Sequence, residues 1–187
     1  VIIDRKTGWL RGVRCVASPN FDDRPPAAVP DLVVVHGISL PPGEFGGDWI
    51  ERLFRNDLPA SAHPYFAQVQ DMRVSAHALI DRRGATTQFV SFEKRAWHAG
   101  KSNHCGREAC NDFSIGIELE GADDVPYEPA QYVALAALIE ALRESYPSLR
   151  AAPVVGHSDI SPGRKTDPGP AFDWQRLWKL VPRDVQT

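Results

Sequence analysis

Short β-branched apolar runs and segments of helical period alternate along this chain. Leu32–His36, LVVVH, is an apolar run ending on a polar residue. It predicts a buried strand that delivers His36 at its C-terminal end. Val154–His157, VVGH, predicts a second strand of the same kind, ending on His157. Ser114–Gly121, SIGIELEG, alternates, with Ile115, Ile117 and Leu119 against Ser114, Gly116, Glu118 and Glu120. Strand side chains point alternately to opposite faces. One face is therefore expected on the core, and the other as the polar, glycine-lined floor of a cleft. Val74–Ile80 and Thr86–Val90, separated by DRRG, predict a hairpin with Gly84 in its turn.

Three segments carry the helical period. Trp49, Ile50, Leu53 and Phe54 are spaced for one helical face. Tyr132, Leu135, Ala136, Ile139, Leu142 and Tyr146 recur at three and four residues, from Pro129 at a first helical position to Pro147 as a stop. Trp174, Leu177, Trp178 and Val181 predict a last helix. Between the first strand and the first helix, Ile38–Gly47, ISLPPGEFGG, is a loop. The sum is an α/β (α+β) fold, a central mixed β-sheet flanked by helices. Without repeats, low-complexity tracts or linkers, residues 1–187 read as one domain.

Composition narrows the function. A chain of 187 residues with 43% hydrophobic residues can bury a real core unaided. Its net charge of −3 offers no basic excess for nucleic acid and no basic helix for a membrane surface. No apolar run is long enough to span a bilayer. The N-terminal VIIDRKTGWL lacks the apolar stretch of a signal peptide. Cys15, Cys105 and Cys110 are an odd set in a chain that needs no staple. Together these predict reduced thiols and a cytoplasmic setting.

The candidate chemistry is metal-centred. A catalytic zinc takes three protein ligands and keeps one position open. His36 and His157 share one context, an apolar strand then His then loop, which adjacent strands would bring to one sheet edge. Asp159 and Asp167 both follow His157, and spacing leaves the third ligand open between them. Glu118, on the polar strand face, is the candidate general base, and Lys165 a candidate positive charge for an oxyanion. Other histidines have plainer readings. His63 is a loop residue, His77 a mid-strand core or cleft histidine, and His98 in AWHAG a residue able to hold a ligand beside Trp97. HCGREAC, His104–Cys110, lacks a second ligand pair for a metal, and nothing orients Cys110 as a nucleophile. There is no GxSxG for a serine hydrolase.

Seven stretches then carry a resemblance: VVVHGISLPPGEFGG, HPYF, RVSAHALIDRRG, RAWHAG, GREACNDFSIGIELEG, the Gly156–His157 pair and RKTDPGPAFDW. In this order they resemble the AmpD family of bacterial amidases over about Gly8 to Trp178. The resemblance implies a single N-acetylmuramoyl-L-alanine amidase domain, with the fold of phage lysozyme-like amidases and peptidoglycan recognition proteins. It implies one zinc ion on His36, His157 and Asp167, with Glu118 as the catalytic glutamate and Lys165 as the transition-state lysine. Ala76 stands where some distant relatives carry a tyrosine, leaving the base role to Glu118. Arg73, Trp97, His98, Arg107 and Asn111 are implied as substrate-cleft residues. Gly37 stands where the family usually has asparagine, which removes a side chain expected to reach the substrate. The expected partner is a small anhydromuramyl peptide, taken by a monomer in cytoplasmic cell-wall recycling. Asp159 and Arg164 are left as solvated or loop-bracing groups.

Overall fold

Two seven-residue strands carry the site. In the computed structural model, which describes residues 1–181, the main sheet has six strands. They are β1 (Arg14–Cys15), β2 (Leu32–Ile38), β3 (Ala78–Ile80), β4 (Thr86–Gln88), β5 (Ser114–Glu120) and β6 (Val154–Gly156). Their spatial order is β6-β2-β5-β3-β4-β1. β6, β2, β5 and β3 run parallel, β3 and β4 form the antiparallel hairpin, and β1 runs parallel to β4. A parallel strand buried on both faces reads as an unbroken apolar run, and LVVV in β2 is such a run. The helices are α1 (Trp49–Phe54), α2 (Phe66–Val69), α3 (Pro129–Ser145), α4 (His157–Ile160) and α5 (Trp174–Leu180). This is the mixed sheet flanked by helices that the pattern predicts.

One sheet face packs on α3 and α5, where Ile115, Ile117 and Leu119 meet Tyr132, Leu135, Ile139, Leu142 and Leu177. The other carries Leu32 and Val34 against Ala99, Cys110, Phe113 and Ile160. α1 and α2 close a third cluster with Phe89 and Val90. α3 begins with Pro129 at its start, and the Gln131 side chain accepts from the Glu128 N–H at 3.0 Å. The same side chain donates to the carbonyls of Glu120 (3.0 Å) and Ile80 (3.3 Å). It thereby ties the helix to the ends of β5 and β3.

Three expectations are corrected. The hairpin's first strand starts at Ala78, not Val74. Ser75 and His77 instead hang from the carbonyls of Trp97 and Gly116, which draws the chain toward the site loop. His157 does not end a strand; it opens α4, because the Asp159 carboxylate accepts the Gly156 N–H at 2.7 Å and turns the chain. The polar face of β5 floors the cleft only at Glu118, and all seven of the strand's residues are buried. The His98 ring lies over Gly116, so close that a Cβ there would stand 2.3 Å from His98 Cγ. Cys15, Cys105 and Cys110 are free thiols. Among the described residues, no helix is long and apolar enough to cross a membrane.

Candidate metal centre and active site

His36 on β2 stands in register with Glu118 on the parallel neighbour β5. Paired positions on parallel strands, ~4.8 Å apart, share a face, so imidazole and carboxylate project side by side. α4 supplies His157 from its first position. The turn after it returns to bring in Asp167, whose carbonyl accepts the Ser158 N–H at 3.0 Å.

The three side chains converge. His36 Nδ1 lies 3.0 Å from His157 Nδ1 and 3.2 Å from Asp167 Oδ2, and the last pair is 3.1 Å apart. A tetrahedral site with bonds of ~2.0–2.1 Å has edges of about 3.3–3.4 Å, so this triangle is a metal site's face to within a few tenths of an ångström. His157 Nε2 meets the Ala99 carbonyl at 3.1 Å. A carbonyl only accepts, and the Arg164 Nη2 hydrogens, 3.3 Å away, are taken by the closer oxygens of Ala99, Lys101 and Ser161, so Nε2 carries the hydrogen and Nδ1 of a ring with one hydrogen is a bare lone pair aimed into the triangle. Burial keeps His36 neutral, with its pKa down to about 4. These three form the one group of potential metal ligands among the described residues. They fit a metal ion. Asp159, the competing aspartate, is occupied by the start of α4.

Glu118 flanks the triangle. It is 9% exposed, and its buried Oε2 has no hydrogen-bond partner among the described residues. Desolvation, then the Asp167 charge, push its pKa well above the usual carboxylate range, while Lys165 works the other way. Lys165 is exposed and lines the cleft with the ligands. The cleft has a volume of about 630 Å³ and is walled by Leu40, Tyr65, Met72, Trp97 and Asp123 among others.

The expected substrate residues separate into two groups. Trp97 and His98 line the cleft, Trp97 held by its Nε1–H on Asp22 at 3.1 Å. Both His98 ring nitrogens face protein partners, His36 Nε2 at 2.9 Å and Ser114 Oγ at 3.1 Å, leaving none for a ligand. Arg73, Arg107 and Asn111 stand outside the cleft lining. Arg73 is exposed and reaches the Gln70 carbonyl. Arg107 lies over the Phe113 ring at 3.6 Å and pairs with Asp31 at 2.7 Å. Asn111 Oδ1 accepts the N–H groups of His98 (3.1 Å) and Ala99 (2.8 Å), bracing the loop from behind. Gly37 lends backbone to the cleft, but a Cβ there would meet Tyr127 Oη at 2.2 Å and Pro168 Cα at 3.4 Å. A side chain at this position starts against protein, not substrate.

His63 and His77 are held by protein partners. His63 Nδ1 accepts the Tyr65 N–H within its own turn. His77 is fully buried, accepting the Gly116 N–H at Nδ1 and donating from Nε2 to the Lys94 carbonyl. It is a satisfied core histidine, placed just before β3 rather than in mid-strand. In the His104–Cys110 segment Cys105 is exposed and Cys110 buried, and among the described residues the two gather no ligand group. Sequence reasoning missed Ser114 and Tyr127, whose partners lie far away in sequence. It also gave Arg164 too little. Its guanidinium donates to the carbonyls of Ala99 (2.6 Å) and Lys101 (2.8 Å) and to Ser161 Oγ (2.7 Å), beside His157.

A family model described as N-acetylmuramoyl-L-alanine amidase matches residues 25–170, and the chain belongs to this family of amidases. The relatives are more particular. The 1,6-anhydro-N-acetylmuramyl-L-alanine amidase AmpD of Escherichia coli (strain K12) is 58% identical over 178 residues, 95% of this chain and 97% of that protein. A crystal structure of a selenomethionine AmpD derivative matches with a TM-score of 0.93 at 55% identity, over 97% of this chain and 100% of that one. A more distant match is E. coli AmiD in complex with the substrate anhydro-N-acetylmuramic acid-L-Ala-D-γ-Glu-L-Lys. It has a TM-score of 0.58 at 31% identity, over 84% of this chain and 60% of that one.

Proposed function

We propose that this chain is a zinc-dependent 1,6-anhydro-N-acetylmuramyl-L-alanine amidase, a single catalytic domain that cuts the amide between the lactyl group of anhydromuramic acid and L-alanine. The observation that carries it is the triangle of His36, His157 and Asp167 with the unpartnered Glu118 oxygen beside it. Two imidazoles and one carboxylate are a donor set that would suit zinc. When bound, the ion supplies positive charge that acidifies water and polarises an amide carbonyl.

The side chains divide the remaining work. Glu118 takes a proton from the attacking water as the new C–O bond forms. Lys165 places its ammonium toward the oxygen that turns negative. Glu118 then passes the proton to the alanine nitrogen as the C–N bond breaks, leaving a carboxyl on the sugar and a free amine on the peptide. Burial suits Glu118 to both halves, because a carboxyl pushed upward in pKa holds a proton long enough to return it. Trp97 offers a flat apolar wall for a sugar or peptide. Three free thiols accord with a reducing, cytoplasmic setting.

Mass analysis of products from an anhydromuramyl tripeptide tests the reading. Free anhydromuramic acid and the intact tripeptide are expected. A shortened peptide still on the sugar would make the chain a peptidase. No cleavage by the zinc-loaded protein would remove the enzymatic reading.

A further inference from the structure

The loop Trp97–Gly100 stands behind both metal histidines. Ala99 meets His157 through its carbonyl, and His98 meets His36 through its ring. On the His98 side the hydrogen positions can be followed outward from a fixed point. Ser114 Oγ lies 2.6 Å from the Cys110 carbonyl. That carbonyl cannot donate, so the single hydroxyl hydrogen lies between the two oxygens. Ser114 Oγ is then an acceptor toward His98, and the hydrogen of that 3.1 Å contact belongs to His98 Nε2. Neutral His98 is left with a bare Nδ1, which takes the hydrogen of His36 Nε2 at 2.9 Å. His36 Nδ1 is thereby bare, and it is this atom that faces His157 and Asp167.

We infer that His98 is a positioning residue for the metal centre. Its ring, fixed by Ser114, sets the tautomer and orientation of His36 so that the Nδ1 lone pair is always presented to the ion. The inference rests on the metal-centre reading above and adds a residue to it. Three observations support a built device. Gly116 is bare beneath the ring, and any side chain there would displace it. Asn111 clamps the His98 and Ala99 amides. Arg164 holds the Ala99 carbonyl that fixes the second histidine. Partners behind metal-binding histidines typically contribute ~10–100-fold in metal affinity.

The experiment compares the parent chain with H98F, S114A and S114T. Zinc affinity is measured by competition with a chelator, and unfolding of the metal-free proteins is followed separately. H98F fills the same space without a nitrogen. It is expected to bind zinc ~10–100-fold more weakly, with metal-free stability close to the parent's. S114A is expected to weaken zinc too, and S114T, which restores a hydroxyl, to recover it. If H98F fails to fold, the S114A and S114T pair decides. Imidazole 15N spectra of the metal-free parent give an independent readout, with His36, His98 and His157 all expected as Nε2–H tautomers. Parent-like zinc affinity in H98F or S114A, or an Nδ1–H tautomer of His98, overturns the inference. Failure of the parent itself to bind zinc would instead overturn the metal-centre reading.

Discussion

The Tyr127 hydroxyl occupies the space a side chain on Gly37 would enter, 2.2 Å from where its Cβ would stand. The ring is also pressed on Gly121, and the hydroxyl donates to the Pro168 carbonyl at 2.9 Å. Pro168 directly follows Asp167, so this pair braces the ligand turn from below. Y127F is expected to cost about 0.5–1.5 kcal/mol. G37A, which must displace the hydroxyl, is expected to cost about 1–3 kcal/mol. The double variant should cost less than the sum, because removing the hydroxyl removes the clash. Urea unfolding of the four proteins measures this, and strict additivity would show that the two positions do not compete for space.

The chemical roles predict a ranking. K165A is expected to fold, bind zinc and turn over ~10²–10³-fold more slowly, the usual cost of one lost oxyanion partner. E118A should be slower still while keeping its zinc, since Glu118 stands beside the ligands rather than among them. Steady-state kinetics with zinc content measured on the same samples checks both. Parent-like turnover in either variant would remove its assigned role.

The two aspartates of the turn should separate cleanly. D167A is expected to lose zinc. D159A should keep a full complement, yet lose about 0.5–2 kcal/mol of stability as the start of α4 loses its acceptor. Metal analysis after dialysis, with thermal melts, distinguishes them, and the reverse pattern would exchange their roles.

Acid should destabilise the metal-free protein from about neutrality downward. Burial, and after it the Arg24 guanidinium, hold His77 down to about 3; burial holds His36 down to about 4 and His98 well below its ordinary value. The unfolded chain takes up these protons below the ordinary value of 6.5. It therefore binds more protons than the fold, and stability falls as the pH falls through this window. Glu118, raised in the fold, works in the opposite sense, favouring the fold as pH falls toward its ordinary value of 4.5. It is one group against three. Melts between pH 7 and 4 in a chelating buffer should show falling Tm, with a shallower slope in H77Q. A flat profile would contradict the burial of these rings as neutral bases.

Elements whose cause is local were legible in the sequence. LVVVH becomes a strand because five residues suffice to state a doubly covered parallel position. α3 begins at Pro129 and ends before Pro147 as its own residues dictate. The likeness to known amidases singled out Asp167, where spacing alone left Asp159 level with it. What escaped depends on long-range contact. Arg107 and Asn111 look like cleft residues in the quoted motif, and only the folded loop turns them to Phe113 and to the His98 amide. The link from Ser114 to His98 spans 16 residues, and that from His98 to His36 spans 62. No pattern of periods or caps reports such partners.

His36 is 121 residues from His157 and 131 from Asp167. An unfolded chain cannot hold these three donors together, so an ion at their centre is a clasp between the beginning and the end of the domain. If that ion is zinc, each increment in its free concentration would act on the whole fold by mass action, worth about 2.7 kcal/mol at a hundredfold excess over Kd. Supply of the metal would set how long the folded enzyme lasts as well as how fast it works.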